Sequence, residues 1–351
     1  MQKLAIDLGY GYTKGLSFYK GKEKSVLFPS IVGAGSYRSI AASLGDIGEI
    51  RPDNLHIKIK DSSGEAEYFV GELARKESRT ANYVFQDNKI THPHTKALLA
   101  AATALLTDED DDILLVTGLP LEYFVTQKAE FLKFLQDFNV ELTIYGEEQE
   151  IVRNISYKHV DIYPQAAGAA YDAVRRHPSI VKMKGTLLGV IDIGHKTTDY
   201  IVFDIGSSLK LVESLSGTIN AGISILHSHL DQEYYRQENT HLNPADAEAI
   251  ILNNGRKLVY GEERDYSEAI RNGVREVAAH IQSAIMTKWD YRLADFPAVY
   301  LAGGGAALLK QELQGLHKSV RVLEDFQMSN TYGFMKVAQI IEAKIKNLKA
   351  V

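Results

Sequence analysis

The sequence predicts an α/β protein of two domains, each built on a mixed β-sheet with helices on both faces. The first observation is the length of 351 residues, which allows two domains that each bury a sizeable core. The second is the succession of apolar strand-like runs and helical patterns along the chain. The third is a strand-and-turn pattern that occurs once in each half of the chain.

The first copy of this pattern lies next to the N-terminus. An apolar strand ends at Asp7, glycines follow at Gly9 and Gly11, and Thr13 and Lys14 come next. Glycines let backbone N–H groups approach a polyphosphate closely, a lysine offers a compact positive charge, and an aspartate can hold hydrated Mg2+. The stretch therefore predicts a phosphate and magnesium site.

Two familiar phosphate-binding motifs do not fit this stretch. The Walker A pattern Gly-x-x-x-x-Gly-Lys-Ser/Thr is absent from the sequence, and the third glycine of a Gly-x-Gly-x-x-Gly fingerprint is misplaced. The residues after Lys14 predict a second strand, a turn at 20–22 and a third strand, which is a hairpin and not a helix. We therefore expect phosphates to lie against a hairpin turn.

The second copy repeats the acid, the glycine and the hydroxyl at a constant offset of 185 residues. Asp192, Gly194 and Thr198 correspond in this way to Asp7, Gly9 and Thr13. Two such hairpins can hold one nucleotide phosphate chain from both sides. The alternative is two ordinary hairpins that happen to look alike, and the agreement of three residue types at one offset favours the first interpretation.

Two glycine-rich stretches in the second half predict further backbone approaches to a ligand. The run 217–222 leads into a helix from about residue 223, where backbone N–H groups can face an anion, so Ala221 and Gly222 are assigned to the nucleotide. The triplet Gly303, Gly304 and Gly305 follows an apolar strand and precedes a helix, which is typical of a loop that contacts a ligand.

Composition limits the classes of function. The chain has 45% apolar and 24% charged residues, no cysteine and a net charge of −6, which argues against a broad nucleic-acid surface and against disulfides or thiolate metal sites. No signal peptide precedes the first strand, and no run approaches the roughly 20 apolar residues of a membrane span. We expect a cytoplasmic protein that binds neither membranes nor nucleic acid directly.

Periodicity predicts the other elements. An alternating strand at 56–60, expected to be exposed, pairs with a strand at 67–70 within an inserted segment. The remaining predictions are a buried helix at 94–107, a central strand at 113–117, a helix whose first turn contains Pro164, a strand at 209–215, helices at 244–254, 266–291 and from 306, and a C-terminal helix opened by Asn330.

The two phosphate stretches resemble those of the superfamily of actin, sugar kinases and heat-shock chaperone ATPases. Within it, the chain is most similar to the bacterial plasmid-segregation actins of the ParM (StbA) type and to their archaeal relatives. Three further stretches carry this narrower resemblance: Phe28–Ser30, Tyr68–Glu72 and Thr117–Pro120. The resemblance covers essentially the whole chain.

The resemblance implies two actin-like (ribonuclease-H-like) domains with a nucleotide in the cleft between them. Domain I is expected to comprise residues 1–165 and 326–351, with a small subdomain inserted at about 30–90. Domain II is expected to comprise 166–325, with a small subdomain at about 223–295.

The resemblance also implies roles for individual residues. Asp7 and Asp192 are expected to hold Mg2+ largely through water, and Gln165 is expected to orient the attacking water, although a glutamine in this position can also serve as a cap or a packing residue. Contacts with the nucleotide are expected from the two turns and the stretches that follow: Gly9, Gly11, Tyr12, Thr13, Lys14, Gly194, Thr197, Thr198, Asp199, Ala221, Gly222, Glu248, Gly303, Gly304 and Gly305.

The function implied by the resemblance is that of an ATPase which polymerises on binding Mg-ATP. Its filaments would segregate plasmid DNA through a centromere-binding adaptor protein, with ATP preferred over GTP on family grounds alone. The alternative is a sugar or acetate type kinase of the same superfamily. Such a kinase needs a carboxylate base for the substrate hydroxyl. The only nearby carboxylate is Asp161, which precedes the helix, and this favours the ATPase over the kinase.

Overall fold

The structure is a computed structural model that describes residues 1–36, 50–78, 80, 82–83, 92–107, 112–146 and 150–349. The expected insert at about 30–90 therefore lies partly outside the described residues. The chain forms two compact units, Met1–Asp172 with Asn330–Val351, and Ala173–Ser329. The two passages between the units fall at 172/173 and 329/330, whereas the sequence-based divisions are at 165/166 and 325/326.

The first unit contains two sheets and their covering helices. Its elements are β1 (Gln2–Leu8), β2 (Tyr12–Tyr19), β3 (Lys22–Pro29), β4 (Ile31–Ala34), β5 (Asn54–Asp61), β6 (Gly64–Gly71), α1 (Glu72–Glu77), β7 (Asn82–Tyr83), α2 (Pro93–Leu106), β8 (Ile113–Leu119), α3 (Leu121–Gln136), β9 (Asn139–Tyr145), β10 (Ile151–Ser156), β11 (His159–Pro164), α4 (Gln165–Arg176) and α9 (Ser329–Lys349), of which α4 and α9 each continue across a passage between the units.

The five-stranded sheet of the first unit has the order β11-β8-β1-β2-β3. Strand β1 pairs antiparallel with β2 and parallel with β8, which makes the sheet mixed, as predicted. Its residues are buried on both faces because the alanine-rich helix α2 packs on one side and α9 on the other. The C-terminal end of β1, where Asp7 lies, is thereby fixed in a rigid core.

The inserted segment does not form a sheet of its own. Strands β4 to β7 join β9 and β10 in a six-stranded sheet of order β10-β9-β5-β6-β4-β7. The predicted pairing of β5 with β6 is confirmed, with Ile57 opposite Tyr68. The prediction that β5 is an exposed strand is wrong, because β9 pairs with its other edge and Leu55, His56 and Ile57 are buried.

Helices α4 and α9 cross at a contact between two glycines. A Cβ atom added to Gly333 would overlap the carbonyl oxygen of Gly168, so only glycine lets the two backbones approach this closely. The fully buried ring of Phe334 lies beside this contact and also against Gly118 at the end of β8. The crossing therefore has a defined position that larger side chains would not allow.

The second unit contains one large sheet and a smaller helical region. Its elements are β12 (Leu187–Ile193), β13 (Thr198–Ile205), β14 (Leu209–Leu211), β15 (Gly217–Ile219), α5 (Ile223–Glu238), α6 (Pro244–Leu252), β16 (Arg256–Val259), β17 (Glu262–Asp265), α7 (Ser267–Trp289), β18 (Val299–Ala302), α8 (Ala306–Leu313) and β19 (Val320–Val322).

The large sheet has the order β14-β13-β12-β18-β19, with β15 pairing with β13. The predicted strand at 209–215 is too long, because β14 ends at Leu211 and a 3-10 turn follows at Glu213–Leu215. Trp289 at the end of α7 is fully buried and donates a hydrogen bond from Nε1 to Leu215 O (2.7 Å). The turn thus anchors the long helix α7 to the sheet.

Helices α5, α6 and the start of α7 enclose a small hydrophobic core around Leu230 and Tyr266, separate from the core under the large sheet. Among the described residues, no helix combines the length and the apolar character that crossing a membrane would require.

Candidate functional site

The turn between β1 and β2 is closed by a single backbone hydrogen bond. Gly9 N–H donates to Tyr12 O (3.0 Å), and a Cβ atom on Gly9 would lie 2.7 Å from that oxygen. A side chain at this position would therefore open the turn. In the ladder that follows, Asp7 stands opposite Lys14 and Leu8 opposite Thr13.

The turn between β12 and β13 has the same construction. Gly194 N–H donates to Thr197 O (2.9 Å), and a Cβ atom on Gly194 would lie 2.9 Å from it. In this ladder Asp192 stands opposite Asp199 and Ile193 opposite Thr198. The repeat predicted from the sequence is therefore a repeat of backbone geometry, with the aspartate two residues before the turn glycine in both units.

The two threonine hydroxyls of the repeat are bonded inside the protein. Thr13 Oγ1 lies 2.9 Å from Ser30 Oγ, and Ser30 Oγ in turn donates to Gly9 O (2.8 Å). Thr198 Oγ1 donates to Ala221 O (2.7 Å). Both threonines are fully buried, and their hydroxyls stabilise the turns. Their contacts with phosphate stay a prediction.

Asp7 is held by three side chains from three different elements. Its Oδ2 accepts hydrogen bonds from Lys14 Nζ (3.2 Å) and from Asn330 Nδ2 (3.4 Å), while its Oδ1 accepts one from Gln165 Nε2 (2.7 Å). The carboxylate is 1% exposed. Both of its oxygens are therefore fixed, and its charge is compensated by the lysine beside it.

Gln165 begins α4, directly after β11. We expected Pro164 in the first turn of this helix, but Pro164 is the last residue of β11 and stands opposite Leu119. The helix therefore starts with the amide that reaches Asp7. Asp161 lies further back on β11 and accepts a hydrogen bond from Ile162 N–H through Oδ1 (2.9 Å).

In the second unit, the glycine triplet lies against Asp192. Gly303 has a φ of +81°, and a Cβ atom there would overlap both Asp192 Oδ1 and Ile193 O. A Cβ atom on Gly305 would overlap the side chain of Ile193, whereas Gly304 has only Gln327 Nε2 nearby, at 3.9 Å. The first and third glycines are required by the protein's own packing, and the middle one has space around it.

This difference gives a paired prediction. Gly303→Ala is expected to lower the free energy of unfolding of the second unit by about 2 kcal/mol, because the new methyl group meets a left-handed φ and the Asp192 carboxylate. Gly304→Ala should leave stability within about 0.5 kcal/mol of the wild type. Urea unfolding followed by Trp289 fluorescence measures the stability of both variants. Equal losses of stability would contradict the conclusion that packing requires Gly303 but leaves space at Gly304.

The N-terminus of α5 is bonded to the second turn. Ile223 N–H donates to Gly194 O (3.2 Å) and Ser224 N–H to His195 O (2.7 Å). A Cβ atom on Gly222 would lie 2.6 Å from His195 O. Gly222 thus lets the start of α5 approach the turn closely, and the N–H groups of Ile223 and Ser224 are bonded to it. The contact of Ala221 and Gly222 with the nucleotide stays a prediction.

A histidine pair that we did not assign to the site lies beside this turn. The rings of His195 and His227 meet edge to face with their centroids 5.0 Å apart. Burial lowers the pKa of His195 to about 4 and the pKa of His227 to about 3, with His195 adding to the shift of His227. Both rings are therefore neutral at pH 7.

The structure brings most of the predicted residues together within their own units. The first unit joins Asp7, Gly9, Gly11, Tyr12, Thr13, Lys14 and Gln165, and Ser30 N–H donates to Gly11 O (2.9 Å). The second unit joins Asp192, Gly194, Thr197, Thr198, Asp199, Ala221, Gly222 and the triplet. Glu248 lies half-buried on α6.

Comparison with known proteins places the two units in one class. Residues 5–168 match the family model "Actin like proteins N terminal domain", and residues 190–315 match "Archaeal actin homologue MreB-like, C-terminal". A search of curated proteins by sequence finds no match.

Two solved structures are similar to this chain over nearly its whole length. A subunit of the 15-stranded ParM filament from Clostridium botulinum is 30% identical, with a TM-score of 0.86 over 96% of this chain and 99% of that one. The chain belongs to the ParM family of actin-like proteins. A non-polymerisable quadruple mutant of pCBH ParM is 28% identical, with a TM-score of 0.83 over 96% of this chain and 99% of the other.

A more distant relative shares the fold. An archaeal actin homologue in complex with ADP is 18% identical, with a TM-score of 0.77 over 97% of this chain and 99% of the other. The two actin-like units with mixed sheets flanked by helices, which we predicted from the sequence, are therefore confirmed.

Proposed function

We propose that the chain is an ATPase that assembles into filaments on binding Mg-ATP and moves plasmid DNA through a centromere-binding adaptor. The observation that carries this proposal is the repeated turn, with one aspartate two residues before a turn glycine in each unit. The family supports the assembly step, because the ParM of 30% identity that spans nearly the whole chain is a filament subunit.

The residues present fit a magnesium nucleotide. The carboxylates of Asp7 and Asp192 stand at the ends of buried strands, and oxygen ligands are those that Mg2+ prefers. The glycines of both turns, together with Gly304, leave backbone free of side chains where a phosphate or a nucleoside can approach. We assign ATP to this site on family grounds, and the archaeal homologue bound to ADP supports a nucleotide of that type.

Each side chain of the first unit has a distinct task in this proposal. Bound Mg2+ would neutralise part of the phosphate charge, and Asp7 would hold it through water. Lys14, already next to Asp7, would place a positive charge near the phosphates. Gln165, oriented by its bond to Asp7, would align the attacking water, so that catalysis rests on positioning and electrostatics.

The partners follow from the same proposal. The chain would bind further copies of itself in the filament and an adaptor protein that carries the DNA contact. Its net charge of −6 supports an indirect link to DNA, because a direct one needs a clustered basic surface. We further propose that it works in the cytoplasm.

Light scattering with phosphate release tests this function. Mg-ATP added to the purified protein should produce a rise in scattering above a threshold protein concentration, followed by decay as phosphate appears. Gln165→Ala should slow phosphate release by about 100-fold and prolong the scattering signal, because the group that aligns the attacking water is lost. Gln136→Ala, an exposed glutamine at the end of α3, is the matched control and should behave as wild type.

Two outcomes would redirect the proposal. Steady hydrolysis without scattering, up to high protein concentration, would contradict filament assembly and would favour the kinase alternative. ATP-dependent phosphorylation of a sugar or of acetate would then establish that alternative.

A further inference from the structure

Asn330 joins the Asp7 carboxylate to helix α4. It is the second residue of α9 and is 5% exposed. Its Nδ2 donates to Asp7 Oδ2 (3.4 Å), and its Oδ1 accepts from Ala169 N–H (3.0 Å). An amide side chain can donate and accept at once, which is what this position requires.

Gln165 makes a parallel connection from the same helix. It bonds to the other oxygen of Asp7, so the two amides fix the plane of the carboxylate from opposite oxygens. Lys14 shares Oδ2 with Asn330. A change in what Asp7 binds must therefore alter the hydrogen bonds at the starts of both α4 and α9.

These two helices are the segments in which the chain passes between its units. The passages fall at 172/173 in α4 and at 329/330 in α9. Their backbones meet at Gly168 and Gly333, and a Cβ atom on Gly168 would lie 2.7 Å from Asn330 O. Because this crossing is so closely packed, it cannot absorb a shift of Asn330 without moving.

We propose that Asn330 is a positioning residue that orients Asp7 for the metal ion and couples ion binding there to the crossing of α4 and α9. This inference rests on the nucleotide site proposed above. It assigns a role to a residue that the two repeated turns do not contain. Asn330 acts through Asp7 and needs no contact with the nucleotide itself.

Thermal unfolding with ADP and Mg2+ tests the role. With ADP saturating, Asn330→Ala should need about 10-fold more Mg2+ than wild type for half of the Mg2+-dependent rise in Tm, since a group that orients a metal-holding side chain typically affects metal affinity by 10- to 100-fold. Affinity for ADP without Mg2+ should change less than about 2-fold. Ser329→Ala is the matched control, because Ser329 is buried beside Asn330 and its hydroxyl has no hydrogen-bond partner among the described residues.

The outcomes separate this inference from the proposed function. If wild type shows no rise in Tm with ADP, the nucleotide site fails and the inference fails with it. If wild type responds but Asn330→Ala has an unchanged Mg2+ requirement, only the inference is overturned. Hydrogen exchange of wild type adds a test that needs no variant: Mg2+ added to the ADP complex should slow exchange in peptides covering 329–336, and an unchanged rate would overturn the coupling.

Discussion

Asp7→Ala is expected to lower the free energy of unfolding of the first unit by about 3 kcal/mol. The substitution leaves the Lys14 ammonium, whose side chain is 11% exposed, without its carboxylate partner. It also removes the carboxylate oxygens that accept hydrogen bonds from the buried amides of Gln165 and Asn330. For a unit of this size, such a loss corresponds to a fall in Tm of roughly 6–12 °C.

An exposed ion pair of the same type provides the control. Asp112 pairs with Lys158 in the same unit, and both side chains are about half exposed. Asp112→Ala should therefore cost less than about 1 kcal/mol. Urea unfolding followed by far-UV circular dichroism measures both variants, while the fluorescence of Trp289, the single tryptophan, follows the second unit.

Equal stability of the two aspartate variants would show that the hydrogen-bonded cluster around Asp7 contributes no net stability. Mg2+-dependent nucleotide binding should also be lost in Asp7→Ala and kept in Asp112→Ala. Retention of normal Mg-ATP binding by Asp7→Ala would contradict our assignment of the metal-holding residues.

Gly333→Ala is expected to destabilise the first unit by about 3 kcal/mol, at the upper end for inserting one methyl group into a packed core. The added Cβ would overlap the carbonyl oxygen and the carbonyl carbon of Gly168. These are backbone atoms, which cannot move aside as the end of a side chain can. Helices α4 and α9 would have to separate, and Phe334 would lose its contacts with Gly118 and Gly168.

The matched substitution is Gly315→Ala, at a glycine with an ordinary φ and no atom within 4 Å of an added Cβ. It should leave stability within about 0.5 kcal/mol of wild type. Hydrogen exchange of peptides from β1 and β8 would locate the effect of Gly333→Ala in the first unit. Wild-type protection of these strands in Gly333→Ala would mean that the crossing tolerates a wider separation than the structure indicates.

Much of the fold could be predicted because its signals are local. The helices beginning at Ile223 and Ala306 start where the glycines before them indicated, and the strands before both turns contain short apolar runs that end at the aspartate. The position of β5 could not be predicted in this way. Its alternation is compatible with an edge strand, and only β9, which lies more than 80 residues later in the chain, makes it central.

The residues of the candidate site also fall into those that local sequence reveals and those that depend on distant contacts. The aspartates and turn glycines were recognisable because they recur at one offset within two short stretches. The contacts of Asn330 and Ser30 could not be recognised in this way. Asn330 bonds to Asp7 across 323 residues of sequence, and Ser30 contacts Thr13 from the far end of a hairpin. No spacing rule within a strand or a helix points to such partners.

The sequence by itself determined the two strand–turn–strand units, the aspartate and glycine of each turn, and the class of fold, because these depend on residue type and on periods of a few residues. The tertiary structure alone decided that the Thr13 and Thr198 hydroxyls stabilise the turns, that the start of α5 bonds to carbonyl groups, and that Asn330 reaches Asp7. Those features depend on which buried polar groups meet when distant segments pack, since each buried donor and acceptor must find a partner in the folded chain.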